Sequence, residues 1–219
     1  MNRVDAALTV VYLAEIRSEC QLALQAEKDL LAATVDHTIM IVSDEDNLTD
    51  DERSRFEERH ANFLRAQIDV QAMLSHAAAV SRILCPGNGR WKAEREKRAT
   101  LLRSSIGASV QDLVVLSRGL RNDLEHYDER LYAWSQLPTV DIYQMSPSRG
   151  LRWSLDPYDN DARDLSCCYH PKKHLYTFWN DTYDLGEISA ALARVHAAAG
   201  KAMFEILDNN PPLFAQQDD

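Results

Sequence analysis

Within residues 121–131, RNDLEHYDERL, seven consecutive positions hold Arg, Asn, Asp, Glu, His and Tyr, in a stretch otherwise patterned as an apolar-faced helix. A histidine titrates near about 6.5, so His126 can take a proton from a ribose 2′-hydroxyl or return one to a leaving 5′ oxygen at neutral pH. Arg121 stays charged and carries a fork of donors that suits the crowded oxygens of a pentacoordinate phosphorus. The pair therefore suits cleavage of an RNA phosphodiester by its own 2′-hydroxyl. That reaction asks for no metal and no cofactor, and DNA lacks the nucleophile.

On a helix advancing about 100° per residue, with Leu120 towards the core, Arg121 sits about 100° to one side. Asn122 and His126 fall near 200° and 240°, on the outer face, by the same rotation of about 100° per residue. They are i,i+4 neighbours, so the Asn122 amide can orient the imidazole, and Arg121 stands in the same relation to Glu125. Arg121 and His126 are about 140° apart, too splayed for one helix to grip a small substrate. A second copy related by a twofold axis would bring both side chains into one cleft, so a homodimer is expected. The competing reading is a solvated helix face whose Arg121–Glu125 pair contributes a few tenths of a kcal/mol.

The elements that must carry this motif are helical. Residues 1–85 contain neither glycine nor proline, which removes the strongest helix breakers. Leu13, Ile16, Cys20, Ala23, Glu27, Leu30 and Thr34 keep a three-four spacing and predict one buried stripe. The acidic segment 44–52 reads as a turn with Asp50 or Asp51 as N-cap. Phe56, Phe63, Val70, Ala77 and Leu84 then recur every seven residues until CPGNG at 85–89 stops the second helix. Together these predict a long antiparallel hairpin. A basic helix over 91–104 and a leucine-rich one over about 109–137 follow, divided by Gly107 and ended by Pro138. From Pro138 the chain turns aromatic, and LSCCYH and HLYTFW around PKK suggest a β-hairpin. The last helix opens at DLGE, where Asp184 and Glu187 have capping-box spacing, and is expected to bury Ile188, Leu192, Val195, Ala199 and Ile206.

RNDLEH, an Arg with an adjacent polar residue and a His after four intervening positions, resembles the signature of the HEPN superfamily. The leucine-rich run into it, LSRGLRNDLEHYDERL, adds to the likeness. The resemblance implies a mainly α, up-down bundle of about five helices over 1–219, with 138–184 as a small mixed insertion. It also implies a homodimeric, metal-independent endoribonuclease with a toxin–antitoxin, phage-defence or RNA-processing role, and Arg121, Asn122 and His126 as its site. Some members are scaffolds, so the alternative is a non-catalytic protein that binds a partner such as an antitoxin or a defence-complex subunit. The chain departs from the pattern in the 138–184 segment and at Asp128, where some HEPN toxins carry a modifiable Tyr; here Tyr127 directly follows the His. Arg55 and His60 repeat the spacing, but the core candidate Phe56 occupies the polar position.

A formal net charge of −10 argues against a surface built throughout for polyanions. The charge is nevertheless segregated, with eight acids against three bases over 44–59 and six bases against two acids over 90–103. Arg90, Trp91, Lys92, Arg95, Lys97 and Arg98 are therefore candidates to guide an RNA backbone and stack a base. The alternative is a solvated helix balanced against the acidic stretch. Cys167, Cys168, His170 and His174 are possible soft ligands, but adjacent cysteines on a strand point to opposite faces, which favours ordinary strand and turn residues over a metal site. His37, His76 and His196 read as structural histidines. The four cysteines are expected reduced. With no signal pattern and no apolar run of membrane-spanning length, a cytoplasmic location is expected.

Overall fold

The computed structural model describes residues 3–33, 49–107, 152–153, 167–178 and 181–210. They are mainly helical: α1 (Arg3–Ala33), α2 (Asp50–Leu84), α3 (Lys92–Ile106) and α4 (Leu185–Asn209). A small sheet holds β1 (Arg152–Trp153), β2 (Cys167–His170), β3 (Leu175–Phe178) and β4 (Asp181–Asp184) in that order, β1 parallel to β2 and the others antiparallel. The helix expected over 109–137 lies outside the described residues, and with it Arg121, Asn122 and His126. No described helix is long and apolar enough to cross a membrane.

The α1 stripe forms as its spacing predicts: Leu13, Ile16, Cys20, Ala23 and Leu30 are fully buried, and each buried Leu or Ile stabilises the fold by roughly 1.5–3 kcal/mol. In α2, Val70, Ala77 and Leu84 are buried at their seven-residue spacing. Its N-cap differs from expectation. Thr49, not Asp50 or Asp51, closes the helix, because Glu52 stands three residues after it and can bond back to its amide. Thr49 Oγ1 donates to Glu52 Oε2 at 2.7 Å and accepts from the Glu52 amide at 3.4 Å, while the Thr49 amide donates to the same carboxylate at 2.9 Å. This is a reciprocal capping box, and its hydrogen bonds hold the Glu52 carboxyl below the usual carboxylate range. Asp50 and Asp51 occupy the first turn instead, where negative charge suits the helix dipole. At the other end of α2, Arg103 Nη1 donates to the Leu84 carbonyl at 2.5 Å, and its Nη2 reaches Glu96 at 2.7 Å. Gly107, at φ 58, ends α3 as a left-handed cap.

The chain divides into two compact units: Met1–Leu24 with Leu74–Asn122 and Glu187–Asp219, and Gln25–Met73 with Asp123–Gly186. The first draws its core from Val10, Leu13 and Ile16, from Leu74 and Leu84, from Leu102 and from Leu192 and Val195. Ile206, expected in this core, is half-buried. The second buries Leu30, Val70 and Met73 together with Tyr169, Tyr176 and Leu185. Its β2–β3 hairpin pairs Cys167 with Phe178 and His170 with Leu175, the arrangement that the residues around PKK suggest. The turn has no glycine, so His174 takes its left-handed position at φ 53. Asp184 closes β4 and α4 begins at Leu185, where the DLGE spacing places the start.

Candidate functional site

The connection from α2 to α3 is a tight basic corner. Gly89 sits at φ +147, a conformation that side chains rarely adopt. A Cβ there would lie 3.8 Å from Arg95 Nη1, so the guanidinium folds over the glycine. Trp91 follows in the left-handed region at φ 62, makes no side-chain cap, and is 61% exposed. The Arg90 guanidinium lies 5.1 Å from its ring centroid, within cation–π range.

Helical rotation sorts the six candidates of this segment. Arg95 lies over Gly89 and Lys92 follows Trp91 directly in the chain, whereas Lys97 falls about 160° round α3 from the buried Ala99, on the side opposite it. Arg98 turns inward: its guanidinium lies 4.2 Å over the Tyr12 ring, and its Nε is buried without a hydrogen-bond partner. Arg90, Trp91, Lys92 and Arg95 are thus brought together, and Lys97 and Arg98 are not. A left-handed conformation costs an L residue about 1–2 kcal/mol, so Trp91→Gly is expected to keep or raise the unfolding midpoint. A midpoint that falls substantially would show the indole packed instead of displayed.

The second unit holds a relay that sequence reasoning missed. Tyr169 Oη and His174 Nδ1 are 2.7 Å apart, and His174 Nε2 lies 3.0 Å from Glu27 Oε1. Burial, and secondly the Glu27 charge, push the Tyr169 phenol up to about 12. The phenol therefore stays protonated, and the His174 ring bridges it to the Glu27 carboxylate. Backbone bonds fix the same residue: the His174 amide donates to the Pro171 carbonyl at 3.3 Å, and the Leu185 amide to the His174 carbonyl at 2.9 Å. Both ring nitrogens are engaged and Tyr169 is fully buried, so the relay ties the hairpin to α1 and leaves no atom of the imidazole for a substrate. The one sequence signal was Glu27 itself, a charge in an otherwise apolar stripe.

The sign of the pH dependence follows from the phenol. Unfolded tyrosine loses its proton near about 10, whereas folded Tyr169 keeps it to about 12. The contribution is intact below pH 10 and is lost as pH rises to about 12, roughly 2–3 kcal/mol in all. Cys20, pushed by burial and then by Glu19 from 9.0 to about 12, adds a loss of the same sign. Urea midpoints of Tyr169→Phe are expected to fall less steeply than wild type between pH 10 and 12; parallel curves would contradict this.

Other titratable groups are accounted for more simply. His76, read as structural, sits 2.8 Å from Glu19. Asp29, Asn62, Arg65 and Asp69 line an open cleft of about 420 Å³ with Ala32, Ala33 and Ile68. Desolvation there, then the Asp29 charge, raises the Asp69 carboxyl against the opposing pull of Arg65. Among the described residues no group of three or more His, Cys, Asp or Glu could hold a metal ion. Comparison of the chain with protein-family models, with curated proteins and with solved structures gives no match in any of the three.

Proposed function

We propose that the protein is a metal-independent endoribonuclease that cuts RNA by 2′-hydroxyl attack at a composite site of a cytoplasmic homodimer. His126 acts as general acid/base, Arg121 stabilises the charge on the phosphorane, and Asn122 orients His126. The observation that carries the reading is the Arg121–Asn122–His126 spacing in a mainly helical chain, with the HEPN resemblance behind it. A toxin, defence or RNA-processing role fits this activity. The competing reading is a non-catalytic protein that binds an antitoxin or defence-complex subunit. It draws support from Leu8, Val11 and Leu22, three exposed apolar side chains on α1 that lie within about 60° of one another around the helix. Incubating labelled structured RNA and DNA of the same sequence in EDTA separates the two. The enzyme reading expects the RNA cut and the DNA intact, with a particle of twice the chain mass in light scattering. Intact RNA across a broad panel would overturn it.

A further inference from the structure

We propose that the Arg90–Trp91–Lys92–Arg95 corner docks a single-stranded segment of RNA, with one unpaired base on the indole and flanking phosphates on the three cations. This rests on the ribonuclease reading and deepens it by naming the class of substrate. Trp91 combines two unfavourable features, a left-handed backbone at φ 62 and an indole 61% exposed. Neither helps the fold, and both present a flat aromatic ring to solvent. Arg90 lies against that ring at 5.1 Å, so a cation accompanies any base that stacks there.

Among the described residues none of Arg90, Lys92 and Arg95 forms an ion pair, whereas Arg103 on the same helix is taken by Glu96. Glu94 lies about 140° round α3 from Ala99, away from Lys92 and Arg95, and Glu96, about 60° from Ala99 on the side of Lys92, is engaged by Arg103. With a chain charge of −10, a local cluster of three cations fixes a small footprint, and the rest of the surface repels a longer polyanion.

The strandedness follows from stacking. In an A-form duplex the base faces are covered by their neighbours, and the helix offers only edges, hydroxyls and phosphates. A protruding indole gains its contact only from a base whose face is free. Duplex recognition would also need cations spread over a longer span, and Lys97, the next base along, faces the other side of α3. Stacking and phosphate contacts do not read the 2′-hydroxyl, so single-stranded DNA should bind here comparably even though it cannot be cut.

The test is fluorescence anisotropy with a labelled 12-nucleotide single strand of 2′-O-methyl RNA, which 2′-hydroxyl attack cannot cleave. A duplex of equal length and a single-stranded DNA of the same sequence serve as comparisons, all in EDTA at low salt. Wild type is expected to bind both single strands more tightly than the duplex. Trp91→Gly should weaken single-strand binding by about tenfold or more, with Trp91→Phe keeping most of it. Arg90→Ala with Arg95→Ala should flatten the slope of log K against log salt by about 1.4, at about 0.7 per phosphate. Circular dichroism checks that each variant folds; Trp91→Phe and the arginine pair carry the test if Trp91→Gly does not. Equal binding by wild type and Trp91→Gly, duplex bound as tightly as single strand, or no binding by wild type would each overturn the proposal. Binding that depends on Trp91 without cleavage of ordinary RNA would remove the ribonuclease reading and keep the corner. Cleavage with binding indifferent to Trp91 would do the reverse.

Discussion

His126→Ala loses RNA cleavage by about 10²–10⁴-fold, the range that general acid–base catalysis supplies, while dimerisation and the urea midpoint stay close to wild type. The imidazole falls on the outer face of its helix in the sequence reading, so truncating it removes chemistry and little packing. Arg121→Ala should cost about 10²–10³-fold, as expected when a donor aimed at developing charge is removed. Arg121→Lys should recover only part of this, because a single ammonium cannot reproduce the planar fork. Asn122→Ala should fall between these and wild type, since the amide acts only through His126. The pattern separates a catalytic helix face from a solvated one: on a solvated face all three substitutions are silent. A fully active His126→Ala protein would remove the assignment.

His174→Ala lowers stability by about 2–4 kcal/mol, a large share of the roughly 5–15 kcal/mol that holds a typical domain together. The substitution takes from the fully buried Tyr169 hydroxyl a partner at 2.7 Å, and from the Glu27 carboxylate a partner at 3.0 Å. Alanine tolerates φ 53 less well than histidine does, so a small backbone cost adds to the loss of the side chain's hydrogen bonds. His174→Asn should cost less, because asparagine tolerates the left-handed region and keeps a polar group in place. Urea unfolding reads both. A His174→Ala unfolding free energy within about 0.5 kcal/mol of wild type, the usual range for an uninvolved surface position, would show that the relay does not hold the hairpin.

What could be read from the residues was local. Leu13, Ile16, Cys20, Ala23 and Leu30 mark α1 because a helix repeats its buried face within one turn. The aromatic residues on either side of PKK, Tyr169 and then Tyr176 and Phe178, mark β2 and β3 because a hairpin joins neighbours in sequence. The cap of α2 was also written locally, in Thr49 and Glu52. Two aspartates beside Thr49 compete for the same role in sequence, and the glutamate three residues after Thr49, where theirs would be Arg53 and Ser54, decides for the threonine. Glu27 and His174 were both visible as odd residues in their segments, but 147 positions separate them, and no periodicity joins residues that far apart. Arg98 counted as part of a basic run, yet its direction depends on Tyr12 in another helix. Arg121, Asn122 and His126 lie outside the described residues, so their assignment rests on spacing, helix geometry and the HEPN resemblance.

The chemistry of the cut ends tests the central claim most directly. Wild-type protein, in EDTA, is given a labelled RNA and the same RNA with a single 2′-deoxy substitution at the mapped cut. Transfer to the neighbouring 2′-oxygen predicts a 2′,3′-cyclic phosphate on the upstream fragment, and no cut at the substituted position. Cleavage that persists through the 2′-deoxy position, or that leaves a free 3′-hydroxyl and a 5′-phosphate, would contradict the account.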